Sequence, residues 1–500
     1  MLGSNAALWV RKNPAVFVAL LGILLLGGFL RFSQVGSLMH FSGDEARDAF
    51  LVRSIARDGD VQLLGAGSSI GDGTFKLGPA FLYMLVPAYA LTGNNPAGGA
   101  WTVAILAFAS IFLVYLLGKR LFSTRVGLIA ALLYSVSYLV AHYGRWQWNP
   151  NPAPFFMLLL LLGIHALAQP GRKHATAWVA VVGLCTGVLL QLHATAIFVL
   201  PPLLFLLCVV LKIRLRWWQV ILGLGLVGML QLPQLIYDLQ HNFEVSHGLW
   251  QIIHGSSTHH YDTIWRMQHT IKAFHHFFNE AIFTQQLKPL ALALMGLGTG
   301  VLAWRTIRGW RQPAARGNII LLAWLLVPFV VYHAFTSVVF LHYFALLFPL
   351  PFLIVAAGID WLWQQGRFRA LVVPLIVLAA GFAFWQSANS FAGGRLRAYG
   401  EPPGKYALTL QQLQAASAYI IQDAAGQPFR ISTEPFPYEK SMWYLLDQAG
   451  TPPVENAQLR YTLVYGTEPD LSRYLRRSNI VIWMFENYVI IKQQVETSTQ

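Results

Sequence analysis

With 56% hydrophobic and only 11% charged residues over 500 positions, the chain carries about half the charge of an ordinary soluble protein. Its net charge of +14 does not point to nucleic acid, because Lys and Arg gather in short connections between apolar runs instead of on one solvated face. Composition thus excludes a string of soluble domains and leaves a polytopic α-helical membrane protein of about eleven spans.

In chain order, spans are expected over 14–31, 98–118, 125–142, 152–168, 175–190, 194–211, 218–237, 287–304, 318–337, 342–362 and 370–388. The first has no small-residue cleavage site after it, so it reads as a retained helix and not a signal peptide. Cys185 and Cys208 both fall in apolar spans and are expected as small core residues without a bridge.

The first loop, 32–97, opens on Phe41-Ser42-Gly43-Asp44-Glu45-Ala46-Arg47-Asp48. Ser42 and Glu45 fit a capping box at the start of a helix. Leu51, Val52, Ile55 and Ala56 give that helix an apolar side, which predicts that it lies along the membrane surface. Asp44, Glu45 and Asp48 are three of only 21 acids in the chain. A carboxylate at this depth can take a proton from an incoming hydroxyl. Asp44 is the first candidate base and Glu45 the second, although the cap alone accounts for Glu45. Lys76 follows at headgroup level, where a lysine either snorkels or holds a phosphate as a point charge.

The apolar stretch 77–91 decides the topology. If it crossed, every later basic loop would face outward. If it stays in the interface, the clusters at Arg11-Lys12, Lys119-Arg120 with Arg125, Arg172-Lys173, Lys212-Arg214-Arg216, Arg305-Arg308-Arg311-Arg316 and Arg367-Arg369 all face the cytoplasm. It is therefore read as interfacial or re-entrant. The N-terminus then lies in the cytoplasm of an inner (plasma) membrane, and the first loop, 143–151, 191–193, 238–286, 338–341 and the tail lie outside.

The second outer loop holds Tyr143, Arg145 and Asn149 in a run rich in Trp. An aromatic belt explains the rings. Arg145 has no acid nearby in sequence, and a guanidinium at this depth suits a phosphate. The loop 238–286 holds eight of the fifteen histidines: His241, His247, His254, His259, His260, His269, His275 and His276. Their spacing matches no zinc motif and no cysteine joins them, so interface or acceptor contacts are preferred to metal. The spans end at 388. Residues 389–500 read as a small α/β domain, with helices over 409–423 and 438–448 and strands over 429–433, 462–465 and 480–492.

Several motifs occur in a telling order: Asp44-Glu45-Ala46-Arg47, Lys76-Leu77-Gly78-Pro79, Lys119-Arg120-Leu121-Phe122, Tyr143-Gly144-Arg145, and His342-Tyr343-Phe344 with Pro349. Together they resemble, over residues 10–365, the GT-C glycosyltransferases of the protein O-mannosyltransferase and aminoarabinose transferase-like group. The resemblance implies a GT-C-like fold and a sugar donor on a polyprenyl phosphate, attacked outside the cell by a hydroxyl of a protein, lipid or glycan. It matches Asp44 to the loop-one acid, Lys76 to the lysine contacting the lipid phosphate, and Arg145 to the second-loop arginine. Arg47, Tyr143, Asn149, His193, His342 and Tyr343 are the further substrate-binding candidates. Two departures stand out: His342 sits where relatives often have arginine, and Asn149 where many carry an acid. Asn149 can hydrogen-bond a sugar but cannot serve as a base or strong metal ligand, so no cofactor is expected and a metal-dependent route is not favoured. The alternatives are a lipid or sugar transporter, disfavoured because ionisable residues avoid the span interiors, and a non-catalytic polyprenyl-lipid binder of the same fold.

Overall fold

The computed structural model describes residues 11–68, 70, 75–171, 174–254, 262–283, 286–335, 338–392, 396–397, 406–434, 438–465, 481–485 and 488–494. Helices α1 (Pro14–Phe32), α2 (Gly43–Asp58), α3 (Ala80–Leu91), α4 (Ala97–Leu121), α5 (Thr124–Val136), α6 (Tyr138–Tyr143), α7 (Ala153–Leu167), α8 (Ala175–Leu192), α9 (Ala194–Val210) and α10 (Trp217–Gln240) build the first half. The second half has α11 (Glu244–His254), α12 (Thr263–Phe283), α13 (Lys288–Gly309), α14 (Ala315–His333), a 3₁₀ helix over Leu341–Leu347, α15 (Leu350–Gln364) and α16 (Arg369–Ala392).

Among the described residues, seven helices are long and apolar enough to cross a membrane: α1, α4, α8, α10, α13, α14 and α16. Their outward faces are apolar, as on α10, where Trp217, Ile221 and Leu224 stand exposed. Water would penalise such a surface and lipid does not. Two expected spans are not single straight helices. The one over 342–362 starts as the 3₁₀ helix and bends by 56° into α15, where Pro349 and Pro351 withhold the N–H groups needed to continue the ladder.

The span over 125–142 breaks at Ser137, which stands extended between α5 and α6. The break frees carbonyls that cannot be left bare in a membrane. Buried Arg31 donates to Ser135 O at 2.8 Å and Tyr134 O at 3.4 Å, and Ser387 Oγ donates to Val136 O at 2.8 Å. Helix α3 has 12 residues, so it runs only ~18 Å and falls short of a ~30 Å core. Within the long loop 238–286, α12 packs against the rest of the chain and buries Phe274, Phe277 and Phe283.

Close approach matters where α4 and α5 pack antiparallel. A Cβ on Gly127 would meet Tyr115 O and Lys119 N, so only glycine lets the two backbones touch there.

Beyond α16 come a short antiparallel pair, β1 (Leu396–Arg397) with β2 (Tyr406–Ala407), and then α17 (Leu410–Ala424), β3 (Phe429–Glu434), α18 (Glu439–Gln448), β4 (Leu459–Tyr465), β5 (Val481–Phe485) and β6 (Tyr488–Gln494). The sheet order is β3-β4-β6-β5, with β3 and β4 parallel and the other pairs antiparallel. The strand expected over 480–492 is in fact two: β5 and β6 pair antiparallel, Phe485 opposite Tyr488. Helix α18 crosses over between the parallel strands and touches both β3 and α2. The domain is therefore docked onto the first loop.

Candidate active site

The capping box starts α2 as the sequence predicts. Ser42 N and Oγ both donate to Glu45 Oε2 at 2.7 Å. The other oxygen, Oε1, accepts from Trp146 Nε1 at 2.7 Å, and His40 Nδ1 lies 3.4 Å from Oε2. Burial alone would raise the pKa of this carboxyl, but His40 and the Ser42 hydrogen bonds outweigh it and hold the group below the usual carboxylate range. Glu45 is thus an ionised clamp between loop one and loop two, with its acceptor sites occupied. Glu45, the second candidate base, lines neither of the two hollows beside Asp44.

Asp44, one residue earlier, points the other way. More than half of its side chain is open, and Arg47 Nη1 reaches its Oδ1 at 3.0 Å. Arg47 is held in turn by Asp48, whose Oδ1 accepts from Nε at 2.9 Å and Nη2 at 2.7 Å. Asp48 is buried, and burial lifts its carboxyl to about 6, partly offset by Arg47 and added to by Asp44 and Glu45. Arg47 therefore bridges one buried and one exposed carboxylate on a single helical turn.

Two adjoining hollows share Asp44, Arg47, Gly67 and Ser68. The inner one, much the smaller, adds Trp148, Asn149, Pro150, His193 and His342. The outer one, ≈ 1000 Å³ and wide open, adds Leu51, Gln62, Leu64 and Lys76. The Lys76 strand is pinned from both sides. Gly65 N donates to Leu77 O at 2.7 Å and Leu77 N to Ala66 O at 2.8 Å, while Gln234 Nε2 donates to Lys76 O at 2.8 Å. Gly78 next to it leaves room for Gln191, whose Oε1 accepts from Ala80 N at 2.9 Å; a Cβ there would collide with that amide. The Gly71-Asp72-Gly73-Thr74 stretch before it lies outside the described residues.

Apart from the shared Asp44 and Arg47, the inner hollow is walled by neutral groups. Asn149 Nδ2 donates to Leu192 O at 2.6 Å, fixing the amide at the end of α8. His193 caps α9 by accepting from Thr195 N at 3.2 Å, and burial pushes its imidazole down to about 4, so it is uncharged near neutrality. His342 packs on Trp148 with ring centroids 4.6 Å apart and on His193 at 5.4 Å. Trp148 stacks on Trp146 at 4.5 Å.

Three expected site residues lie behind this wall. Tyr143 is buried against Phe348 and Trp146. Tyr343 is buried behind His193 and accepts the Tyr332 hydroxyl on its carbonyl. Arg145, expected at the donor phosphate, lies apart from the hollows. It is 3% exposed, donates to Leu30 O and Ser33 O at 2.6 Å each, and lies over the Phe391 ring. Its charge closes the end of α1, and it lines neither hollow.

Ser68, Trp148 and Pro150 line the site without having been singled out from the sequence. Trp148 carried an aromatic signal that an interfacial belt explained equally well, and nothing in the residues around Ser68 marks it. Among the described residues no three His, Cys, Asp or Glu side chains converge as metal ligands. Several loop histidines stack on aromatic rings instead, His241 on Tyr237, His254 on Trp250 and His269 on Trp265; His259 and His260 lie outside the described residues.

The sequence profile of the dolichyl-phosphate-mannose-protein mannosyltransferase family matches residues 76–237. Among solved structures, ArnT from Cupriavidus metallidurans bound to undecaprenyl phosphate is similar with a TM-score of 0.61 at 13% identity, covering 95% of this chain and 97% of its own. The archaeal oligosaccharyltransferase AglB from Archaeoglobus fulgidus, in complex with an inhibitory peptide and a dolichol-phosphate, is similar with a TM-score of 0.52 at 11% identity, over 91% of this chain and 70% of its own. No curated protein matches by sequence. At these identities the likeness is one of fold.

Proposed function

We propose that this chain, a GT-C superfamily protein by its fold and its family match, transfers a sugar from a polyprenyl-phosphate donor to an acceptor hydroxyl on the extracytoplasmic face. The observation that carries the reading is the shared outer hollow, where the exposed carboxylate of Asp44 and the pinned Lys76 line one open space. The structural neighbours solved with undecaprenyl phosphate and with dolichol-phosphate support a lipid-phosphate partner.

In this reading the acceptor oxygen attacks the anomeric carbon while the bond from that carbon to the phosphate oxygen breaks. Asp44 accepts the hydroxyl proton. The bond's electrons leave on the polyprenyl phosphate, whose gathering charge Lys76 offsets. A single displacement through an oxocarbenium-like state inverts the anomeric centre. Arg47 orients the Asp44 carboxylate through its hydrogen bond, with Asp48 anchoring the guanidinium. The sugar sits in the inner hollow, with Asn149 and the neutral His193 and His342 around its hydroxyls and Trp148 against its face. Glu45 and Arg145 shape the site from behind. The route uses no metal, and millimolar EDTA is expected to leave the rate unchanged; a lost rate restored by one divalent ion would overturn that part.

The test is release of free polyprenyl phosphate in proteoliposomes, using a panel of polyprenyl-phosphate sugars and cell-envelope extract as acceptor. Wild type should release it, and Asp44→Asn should be slower by at least ~100-fold while still binding the donor lipid. A carrier would instead move the donor intact, with no phosphate released by either protein.

A further inference from the structure

On the opposite membrane face from Asp44, at the far ends of α4 and α7, lies a second hollow of ≈ 800 Å³ lined by Leu116, Lys119, Arg120, His165 and Gln169. Arg316 joins its rim from the first turn of α14, with Nη1 donating to Gln169 Oε1 at 3.3 Å. Arg120 and Arg316 both act electrostatically on His165. No carboxylate is among the residues that line this hollow.

An orientation signal accounts for some of this charge. Cations in the last turn of α4, where Lys119 and Arg120 sit, also favour the negative end of the helix dipole. The helix dipole does not account for Arg316, because the positive end of α14 repels it. Arg125, in the same unfavourable first-turn position on α5, is neutralised by Asp360 at 2.8 Å. The hydrogen-bond partner of Arg316 is the neutral Gln169. A further cation that shares His165 with Arg120, at a helix end that disfavours it, is what a bound anion would stabilise.

The membrane side of the hollow favours one source of anion. Along α4, Ile105 and Phe112 are exposed apolar residues. With half-exposed Leu116 they form a stripe at helical spacing that ends at exposed Arg120. An acyl chain can lie on that stripe while its headgroup phosphate reaches the basic hollow. From this geometry we propose that the chain holds an anionic phospholipid of the leaflet opposite the active site, its phosphate between Lys119, Arg120 and Arg316. The inference rests on the membrane reading alone and stands whether or not the chain transfers a sugar.

The experiment is native mass spectrometry of the full chain released from nanodiscs of equal phosphatidylglycerol and phosphatidylcholine, with thermal unfolding as a check on fold. Wild type should retain phosphatidylglycerol in preference. Arg120→Gln and Arg316→Gln should each cut the retained ratio by about five-fold, the factor matching ~1 kcal/mol per basic residue at a membrane surface. Arg214→Gln/Arg216→Gln, which removes two charges from another loop on that face, should leave it unchanged. No preference in wild type, or equal loss in the control variant, would overturn the proposal. So would displacement of the lipid by millimolar inorganic phosphate, which would make the hollow a soluble-anion site. If either single variant fails to fold, Lys119→Gln reads the same ratio.

Discussion

At the scale of single residues, two neighbours in one turn show how position along a helix divides chemistry from support. Asp44 and Glu45 are adjacent carboxylates, yet one is open beside Arg47 and the other is closed by Ser42, Trp146 and His40. Replacing Glu45 with Ala removes the acceptor of several charge-assisted hydrogen bonds. Unfolding in detergent should then be easier by about 2–3 kcal/mol, while Glu45→Gln, which keeps part of the cap, loses less. Equal stability of all three proteins would show that the clamp is idle.

Asp48 gives a pH signature. Its folded-state value of about 6 lies above the unfolded one, so its contribution to stability is full below the unfolded value and is lost as pH rises through about 6. Its effect on Arg47 runs the other way, because only the ionised form adds charge to the two guanidinium hydrogen bonds on Oδ1. Transfer should therefore fall as pH drops through about 6, and the step should vanish in Asp48→Asn. A step that persists in that variant would place the titration elsewhere.

At the scale of elements, the ends of α1 and the seating of α2 decide the site's shape. Arg145 ties loop two to the end of α1, and Arg145→Lys should lower the midpoint of thermal unfolding because an ammonium cannot span Leu30 O and Ser33 O as the fork does. Donor binding should be little changed, which is the opposite of what a phosphate ligand would give.

Helix α2 is held from outside by α18. Arg53 Nη2 meets Asp447 Oδ2 at 2.5 Å, Tyr444 packs on Phe41 and Phe50, and its hydroxyl donates to Asn94 O at 2.6 Å. Tyr444→Ala should cost about 3–5 kcal/mol at this joint and slow turnover more than it weakens donor binding, since α2 carries Asp44. A variant that loosens the joint, read by faster hydrogen exchange in α2, yet leaves turnover intact would separate the domain from the site.

Much of this was legible in the sequence. The apolar runs and the capping box have short-range causes, and helices follow them at 14–32 and 43–58. The burial of Arg145 was not legible, because its partners are carbonyls more than a hundred residues away and a carbonyl has no residue-type signature. The break at Ser137 was hidden for the same reason: distant Arg31 and Ser387 make it tolerable. The β5–β6 hairpin merged into one predicted strand because an apolar run does not reveal where a chain reverses.

At the scale of the whole molecule, the chain has two unlike ends, the acidic cleft on the helix against which the α/β domain docks and the basic connections at the other. In a background free of Cys185 and Cys208, Asp60→Cys should react with a membrane-impermeant maleimide in intact cells. Arg214→Cys should react only after permeabilisation. The same labelling for both would break the assignment of faces.

The central claim, sugar transfer with Asp44 as base, is tested most directly by mass spectrometry of glycans and lipids from cells lacking the protein, carrying wild type, or carrying Asp44→Asn at equal membrane levels. One glycan should appear only with wild type, with its polyprenyl-phosphate donor accumulating in the other two. A glycan profile restored by Asp44→Asn would contradict the account.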